Sequence, residues 1–196
     1  MVAKITTQFE RRNFKMAFWS DATQAAGSPK RQYRFKVQIG TGTNKKVQSF
    51  VVKKTDKPNF AISEAEHKFL NHTYYYPGRV TWNPITVTLV DMGGSEDTSK
   101  ALATIVRDAG YEPANAQNYS TMSKKSAVKN LGQVVIQQLG SDGKSIEQWV
   151  LKNAWIQDLK FGDLDYEGDG LTEVTMVLRY DWAELNGGEA AVPNPS

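Results

Sequence analysis

The chain has 196 residues, of which 40% are hydrophobic, with no cysteine and a formal net charge of +3. The absence of cysteine excludes disulfides, thiolate metal sites and cysteine nucleophiles, and no apolar run reaches the length of a membrane-spanning helix. The first twenty residues lack the continuous apolar centre of a secretion signal. We therefore expect a soluble protein that is made and used in the cytoplasm.

The charge is distributed unevenly along the chain. Residues 1–60 carry thirteen lysines and arginines against three acids, a net charge of +10, and the remainder carries eleven against eighteen, a net charge of −7. A basic half is typical of proteins that bind nucleic acid or an acidic partner. Basic side chains that solvate exposed strand faces explain it equally well. A third interpretation is head-to-tail association, in which the basic surface of one molecule meets the acidic surface of the next.

Residues 1–30 are expected to form an N-terminal arm and linker, because scattered aromatics and charges are followed by a Gly-, Ser- and Pro-containing stretch. Alternating apolar and polar residues from Gln32 to Ile39 then predict a half-buried strand with Tyr33 and Phe35 on its core face. The domain proper is expected to span residues 31–185. Residues 186–196 are expected to be a flexible tail.

A long hairpin is predicted next. Val47–Lys54 has the pattern of one strand, Thr55–Pro58 of a turn and Phe60–Phe69 of the second strand. Both strands carry dense charge and few apolar residues. A hairpin of this kind projects from the body and pairs with the edge of another chain.

The segment Asn71–Asp91 contains three consecutive tyrosines followed by Pro77-Gly78. The Pro-Gly dipeptide predicts a turn. Ile85, Val87 and Leu89 then alternate with polar residues, as on one face of a strand. The segment therefore predicts a turn that leads into a strand.

A single helix is predicted. Ser95–Thr98 supplies side chains that cap a helix start, the apolar residues from Leu102 to Ala109 follow at helical spacing, and Gly110 ends the helix. Tyr111–Asn130 is predicted to be a polar connection.

Three further strands follow the helix. Gly132–Leu139 and Ile146–Phe161 flank an Asp-Gly hairpin turn, and the second strand is predicted to bend near Asn153-Ala154 without interruption. Leu171–Ala183 is the last strand. Together the elements predict a mainly β fold: an antiparallel β-sandwich or barrel of six to seven strands flanked by one α-helix, with a projecting long hairpin.

No catalytic, cofactor-binding or metal site is predicted. His67 and His72 are five residues apart and form no zinc motif. The acids from Asp163 to Asp169 resemble the start of a calcium loop, but Val174 stands where the closing glutamate belongs. We interpret them as an acidic turn, with weak cation binding as the alternative. Because no nucleophile motif is present, we expect no enzymatic activity.

The order and spacing of several segments resemble the tail tube protein of contractile-tailed bacteriophages, which is related to the tube proteins of type VI secretion systems. The segments are PKRQYRFKVQI in the first strand, YYYPGRVTWNPITVTLVD with its Pro77-Gly78-Arg79 turn, NAWI at residues 153–156, LKFGDLDY at residues 159–166 and the final Tyr180-Asp181-Trp182. The resemblance covers residues 30–185.

This resemblance implies a structural virion protein with no enzymatic activity and no cofactor. Members of the family form hexameric rings that stack into a hollow tube inside a contractile sheath, and the genome passes through the lumen without specific binding. The implied partners are further copies of the chain, the sheath protein, the baseplate hub and the tape-measure protein, with no membrane. The tail would be assembled in the host cytoplasm. A nucleic-acid-binding β-barrel and a type VI secretion-like tube protein remain the alternatives.

The predicted hairpin and the strand that follows it supply the candidate self-assembly residues. They are Phe50, Val52, Lys53, Lys54, Asp56, Lys57, Arg79 and Trp82. We expect the hairpin and the N-terminal arm to make ring and stacking contacts, and Arg79 and Trp82 to make contacts within or between subunits. If basic and acidic surfaces pair, assembly should weaken with salt.

Overall fold

Two antiparallel sheets pack their apolar faces into a shared core. The computed structural model describes residues 29–41, 44–47, 51–94, 97–112 and 121–187. Eleven strands and two helices lie within these ranges. In chain order they are β1 Phe35–Thr41, β2 Asn44–Val47, β3 Val52–Thr55, β4 Phe60–Phe69, β5 His72–Trp82, β6 Ile85–Val90, α1 Thr98–Asp108, α2 Lys124–Leu131, β7 Val134–Leu139, β8 Ser145–Lys152, β9 Trp155–Lys160, β10 Glu173–Arg179 and β11 Trp182–Gly187.

The five-stranded sheet has the order β11-β8-β7-β1-β2, and the four-stranded sheet has the order β3-β6-β10-β9. Every pairing between neighbouring strands is antiparallel. Strands β4 and β5 form a separate two-stranded sheet. The body therefore has two layers, to which a long hairpin is attached.

Period-two alternation gives each sheet one buried face. Inner strands β6 and β10 contribute fully buried side chains at every second position, and β1 and β7 do the same in the opposite sheet. These residues are Ile85, Val87, Leu89, Val174, Met176, Leu178, Val37, Ile39, Val134 and Ile136. Because their burial removes a large apolar area from water, this cluster is the main source of stability for the body.

The two helices pack on each other and contribute to the same core. Helix α1 begins after Asp97, whose carboxylate accepts the backbone N–H of Lys100 at 2.7 Å, and buries Leu102 and Ile105. Helix α2 begins after Ser123 and buries Leu131. Neither helix within the described ranges has the length and apolarity needed to cross a lipid bilayer.

The prediction of a mainly β, antiparallel fold with a long hairpin is confirmed, but the described part of the chain has more elements than predicted. Helix α2 begins within the expected polar connection Tyr111–Asn130 and ends just beyond it, at Leu131. It buries only Ala127 and Leu131, so its apolar stripe is too narrow to stand out in the sequence.

Two strands that were predicted to be continuous are each divided between the sheets. The strand predicted from Ile146 to Phe161 is β8 in the five-stranded sheet and β9 in the four-stranded sheet. Asn153 lies between them with a φ of 55°, a left-handed conformation that redirects the chain. The strand predicted from Leu171 to Ala183 is likewise divided into β10 and β11, with Asp181 between them.

Asp181 connects both of these strand crossings to helix α2. Its two carboxylate oxygens each accept a hydrogen bond from Lys124 Nζ at 2.7 Å, and Oδ2 also accepts one from Asn153 Nδ2 at 2.8 Å. These two partners, Lys124 first, hold the pKa of Asp181 below its ordinary value of 3.8. The ion pair thus fixes α2 against the ends of four strands.

The projecting hairpin is formed by β4 and β5, so the predicted pairing of Val47–Lys54 with β4 is wrong. Strand β3 instead pairs with β6, with Val52 opposite Leu89. Val51 is only 4% exposed. Its burial in the core favours the long-range pairing with β6 over a local hairpin.

The predicted turn at Pro77-Gly78 is also wrong, because β5 continues through this dipeptide. The register between β4 and β5 shifts at this point, as in a β-bulge. The hairpin turns instead between Phe69 and His72, where Leu70 has a φ of 55°.

Tyr33 was expected in the core but is 73% exposed. Residues 31–34 form a turn, and β1 begins only at Phe35. The buried Gln138 holds this turn, since its Nε2 donates hydrogen bonds to the carbonyls of Arg31 and Arg34 at 2.7 and 2.8 Å. This side-chain interaction outweighs the alternating pattern at the start of the predicted strand.

Candidate assembly surface

The β4–β5 hairpin exposes almost all of its side chains. Every residue of β4 is exposed, and only Thr73 and Trp82 of β5 are half-buried. A ten-residue strand extends about 34 Å. The large apolar residues that the hairpin exposes are Phe60, Ile62, Phe69, Leu70, Tyr74, Tyr75, Tyr76 and Val80.

Both faces of the hairpin carry apolar side chains. Cross-strand partners share a face, so Phe60 with Trp82 and Ile62 with Val80 form an apolar patch near the base. On the opposite face, Ala65 pairs with Tyr76, His67 with Tyr74 and Phe69 with His72, forming an aromatic patch toward the tip. Exposed apolar surface of this extent is typical of a protein interface.

Trp82 fixes the base of the hairpin to the body. Its ring lies 5.0 Å from the ring of Phe60 and 5.9 Å from that of Tyr180, and it packs against the core. Tyr180 is 3% exposed, and burial raises the pKa of its hydroxyl. A backbone hydrogen bond from Asn83 N to the Asn59 carbonyl at 3.0 Å closes the base.

Ser63 stabilises the bulge midway along the hairpin. Its Oγ accepts a hydrogen bond from Arg79 N at 2.8 Å. A Cβ atom on Gly78 would collide with the Ser63 side chain and approach its carbonyl oxygen to 2.9 Å. Glycine is therefore required at position 78 for β5 to pass close to β4.

The predicted self-assembly residues of the β3 region divide by burial. Phe50 lies outside the described residues. Val52 is partly buried and packs against the core, whereas Lys54 is exposed and has no ion-pair partner among the residues that the structure describes. Lys53 forms an ion pair with Glu173.

Asp56 and Lys57 make bonds within the chain. Asp56 Oδ2 accepts a hydrogen bond from Thr86 N at 3.1 Å. Lys57 Nζ lies 2.7 Å from Glu147 Oε1, which also accepts the indole N–H of Trp149 at 2.7 Å. Both residues connect the β3–β4 segment to the body, so replacing either one would change folding as well as any interface.

Arg79 and Trp82 lie on the hairpin but in different surroundings. The Arg79 side chain is exposed and forms no ion pair within the described ranges. Trp82 makes ring contacts within the chain. Trp82 thus makes contacts within the subunit and Arg79 is accessible, and the role of either residue in self-assembly stays a prediction.

The sequence reasoning missed two exposed regions. The first is the aromatic surface of the hairpin, which the triple tyrosine marks. The second is the loop between β9 and β10, where Leu164 is 91% exposed and Tyr166 is entirely exposed. The sequence predicted this loop as an acidic turn, with weak cation binding as the alternative. The sequence signal for this exposed apolar surface was the presence of apolar residues between the acids of the loop.

His67 and His72 lie on the exposed aromatic face of the hairpin, with the His72 ring 4.7 Å from that of Tyr74. In the described ranges, no group of three or more histidine, aspartate or glutamate side chains is placed to hold a metal ion.

Comparisons with known proteins show which solved structures have a similar fold. No protein-family model matches the chain, and no curated protein does so either. A chain of the anti-feeding prophage tube-terminating cap is 17% identical with a TM-score of 0.62, and the match covers 88% of this chain and 99% of that one. A chain of the anti-feeding prophage baseplate is 15% identical with a TM-score of 0.60, covering 84% and 99%.

A third similar structure is a chain of the sheath-tube complex of PVC, an extracellular contractile injection system. It is 15% identical with a TM-score of 0.60, and the match covers 83% of this chain and 95% of that one. At these identities the similarity is one of fold. The chain therefore shares its fold with chains from these three assemblies.

Proposed function

We propose that this chain is a tube protein of a contractile injection system or phage tail, and specifically a virion protein whose hexameric rings stack into a hollow tail tube. The fold similarity supports this proposal, because the matching chains come from a sheath-tube complex, a tube-terminating cap and a six-fold symmetrised baseplate. The role is structural and needs no cofactor. In this proposal residues 31–185 form the tube domain, with residues 1–30 as its arm and residues 186–196 as its tail.

The β4–β5 hairpin is the observation that carries the proposal. An isolated two-stranded sheet is at best marginally stable in water, yet this hairpin is long and exposes apolar side chains on both faces. Strands β2, β11, β3 and β9 also lie at the edges of the two larger sheets. Neighbouring subunits in a ring or stack would cover the hairpin and pair with such edges.

The partners follow from the same proposal. Copies of the chain would contact one another, and the sheath protein, baseplate hub and tape-measure protein would contact the assembled tube. DNA would pass through the lumen without specific binding. Such a lumen needs polar or acidic side chains, since a dense basic surface would hold the phosphate backbone.

Negative-stain electron microscopy of the purified protein tests the proposal directly. The unmodified chain should form rings or tubes. A chain with Tyr74→Ser and Tyr76→Ser should stay monomeric while keeping its thermal stability, because each buried interface tyrosine contributes about 2 kcal/mol to association. Tyr111→Ser is the matched control, since Tyr111 is 59% exposed and lies outside the hairpin.

A monodisperse monomer at all concentrations would contradict the proposed tube function. A monomer that binds oligonucleotides with strong salt dependence would support the nucleic-acid-binding β-barrel in place of the tube. Equal assembly by the double tyrosine variant and the control would show that the hairpin is not the interface.

A further inference from the structure

A groove with a volume of about 720 Å³ lies beside β3, the outer strand of the four-stranded sheet. Phe35, Val52 and Trp149 line it with apolar surface and pack against the core beneath. Tyr33 also lines it and is 73% exposed. The groove therefore offers an apolar floor that no side chain of the described residues fills.

Three lysines line the groove, and two arginines lie in the turn beside it. Lys53, Lys54 and Lys57 line it, and the turn that contributes Tyr33 also carries Arg31 and Arg34. Lys53 is paired with Glu173 and Lys57 with Glu147. Lys54, Arg31 and Arg34 have no carboxylate partner among the described residues, although the Arg34 guanidinium lies 5.4 Å from the centre of the Tyr33 ring. The rim consequently keeps an excess of positive charge.

The loop at residues 161–171, which connects β9 to β10, has the complementary chemistry. Each of its residues is exposed, and Phe161, Leu164, Tyr166 and Leu171 present apolar surface to solvent. Four carboxylates lie between these side chains, those of Asp163, Asp165, Glu167 and Asp169. None of them has an ion-pair partner within the described part of the chain. The loop thus combines apolar side chains with unpaired negative charge.

The two features belong to opposite edges of one sheet, since β3 and β9 are the outer strands of the order β3-β6-β10-β9. We propose that the 161–171 loop of one copy docks into the groove beside β3 of the next copy. Leu164 and Tyr166 would cover the apolar floor, and the acids would face the cationic rim. A contact between two different surfaces of the same chain is heterologous, and it generates a ring when the rotation between copies closes and an open filament when it does not. The inference therefore specifies one contact between subunits of the proposed tube. Because that contact is a ring contact, the inference rests on the proposed tube function.

A cross-linking experiment tests this contact between two copies. The chain contains no cysteine, so Lys54→Cys and Tyr166→Cys each introduce a unique thiol. A mixture of the two variants, one of them enlarged by a tag, is treated with a short bismaleimide. We expect a covalent heterodimer at a yield at least about fivefold above that of the control mixture, Lys100→Cys with Tyr166→Cys, because docking raises the effective concentration of the thiols. Equal yields from the two mixtures would overturn the inference.

Charge exchange provides the second test. Lys54→Glu with Arg34→Glu reverses two cations at the rim, and Asp163→Lys with Asp169→Lys changes the net charge of the loop from −4 to zero. Each pair of substitutions should raise the concentration needed for assembly about tenfold, since each removes the attraction between the rim and the loop. All four substitutions in one chain should restore it. Lys100→Glu and Glu112→Lys are matched controls that should leave assembly unchanged.

The outcomes separate this inference from the proposed function. Tubes that form equally well with every charge variant would refute loop docking and leave the tube function in place. Specific cross-linking by a chain that forms neither rings nor tubes would refute the tube function and leave the contact. Failure of the fourfold variant to recover, with its circular dichroism unchanged, would also contradict the docking.

Discussion

Asn153 shows how one residue directs the path of the chain between the sheets. Its φ of 55° is left-handed, which asparagine tolerates better than most residues, and its side chain donates to Asp181 at 2.8 Å. Asn153→Ala should lower the free energy of unfolding by about 2 kcal/mol, because it combines backbone strain with a lost hydrogen bond.

Asn153→Gly separates the two contributions. Glycine adopts the left-handed conformation without strain, so only the hydrogen bond is lost and the cost should fall to about 1 kcal/mol. Urea denaturation of both variants measures the difference. If alanine and glycine were equally destabilising, backbone strain at this crossing would have no role.

Asp181 makes the stability of the fold depend on pH. Its hydrogen bond with Lys124 lowers the pKa of the Asp181 carboxyl group in the folded protein below 3.8. The stabilisation is therefore fully present above the pKa that this group has in the unfolded chain, and it is lost as pH falls through the pKa that it has in the folded protein. Because the side chain is exposed, solvent screening limits the contribution to about 0.5 kcal/mol.

Replacing Asp181 by asparagine should therefore destabilise the protein at neutral pH and flatten its loss of stability below about pH 4. Thermal unfolding between pH 2 and pH 7 measures this, with Glu112→Gln as a control that should leave the profile unchanged. A profile that stays parallel to that of the unmodified protein would show that the ion pair does not contribute.

At the scale of elements, the sequence predicts best where burial follows a strict period. β6 was predicted from Ile85, Val87 and Leu89, which are 0% exposed, and helix α1 was predicted from its cap and apolar spacing. Each of these elements has a one-sided pattern that its own residues impose. The fold class therefore follows from local physics.

The pairing of strands could not be predicted in the same way. β4 has no apolar periodicity because both of its faces are exposed, and its partner is selected by the turn near Leu70 and the bulge at Gly78. β3 pairs with β6 through residues distant in sequence, such as Val52 with Leu89, and the neighbouring Val51 is buried. Long-range packing decided this pairing, and a single sequence does not record it.

The candidate site was accessible to sequence reasoning only in part. Charge density directed attention to the lysines of the β3 region, whose role in self-assembly stays a prediction, and the structure shows that Asp56 and Lys57 make bonds inside the chain. The sequence showed the three tyrosines as a motif but did not show that the fold leaves them exposed. Side-chain exposure depends on which surfaces the tertiary fold covers, so the two faces of the hairpin became apparent only in the structure.

At the scale of the whole molecule, stability should be unevenly divided between the sandwich and the hairpin. The sandwich is stabilised by a continuous apolar core, whereas β4 and β5 pair only with each other among the described strands. Amide protection against hydrogen exchange follows the free energy of local opening. In the monomer, the amides of residues 60–82 should therefore exchange much faster than those of β6 and β10.

Assembly should reverse this difference at the hairpin. Subunits that cover its two faces would add both burial and new hydrogen-bonding partners for its outer edges, so protection of residues 60–82 should rise by at least about tenfold while β6 and β10 change little. Hydrogen exchange with mass spectrometry on monomer and assembled fractions measures both regions in one experiment. Tubes in which the hairpin stays unprotected would place the subunit contacts elsewhere, because a covered two-stranded sheet cannot keep the exchange rate of a free one.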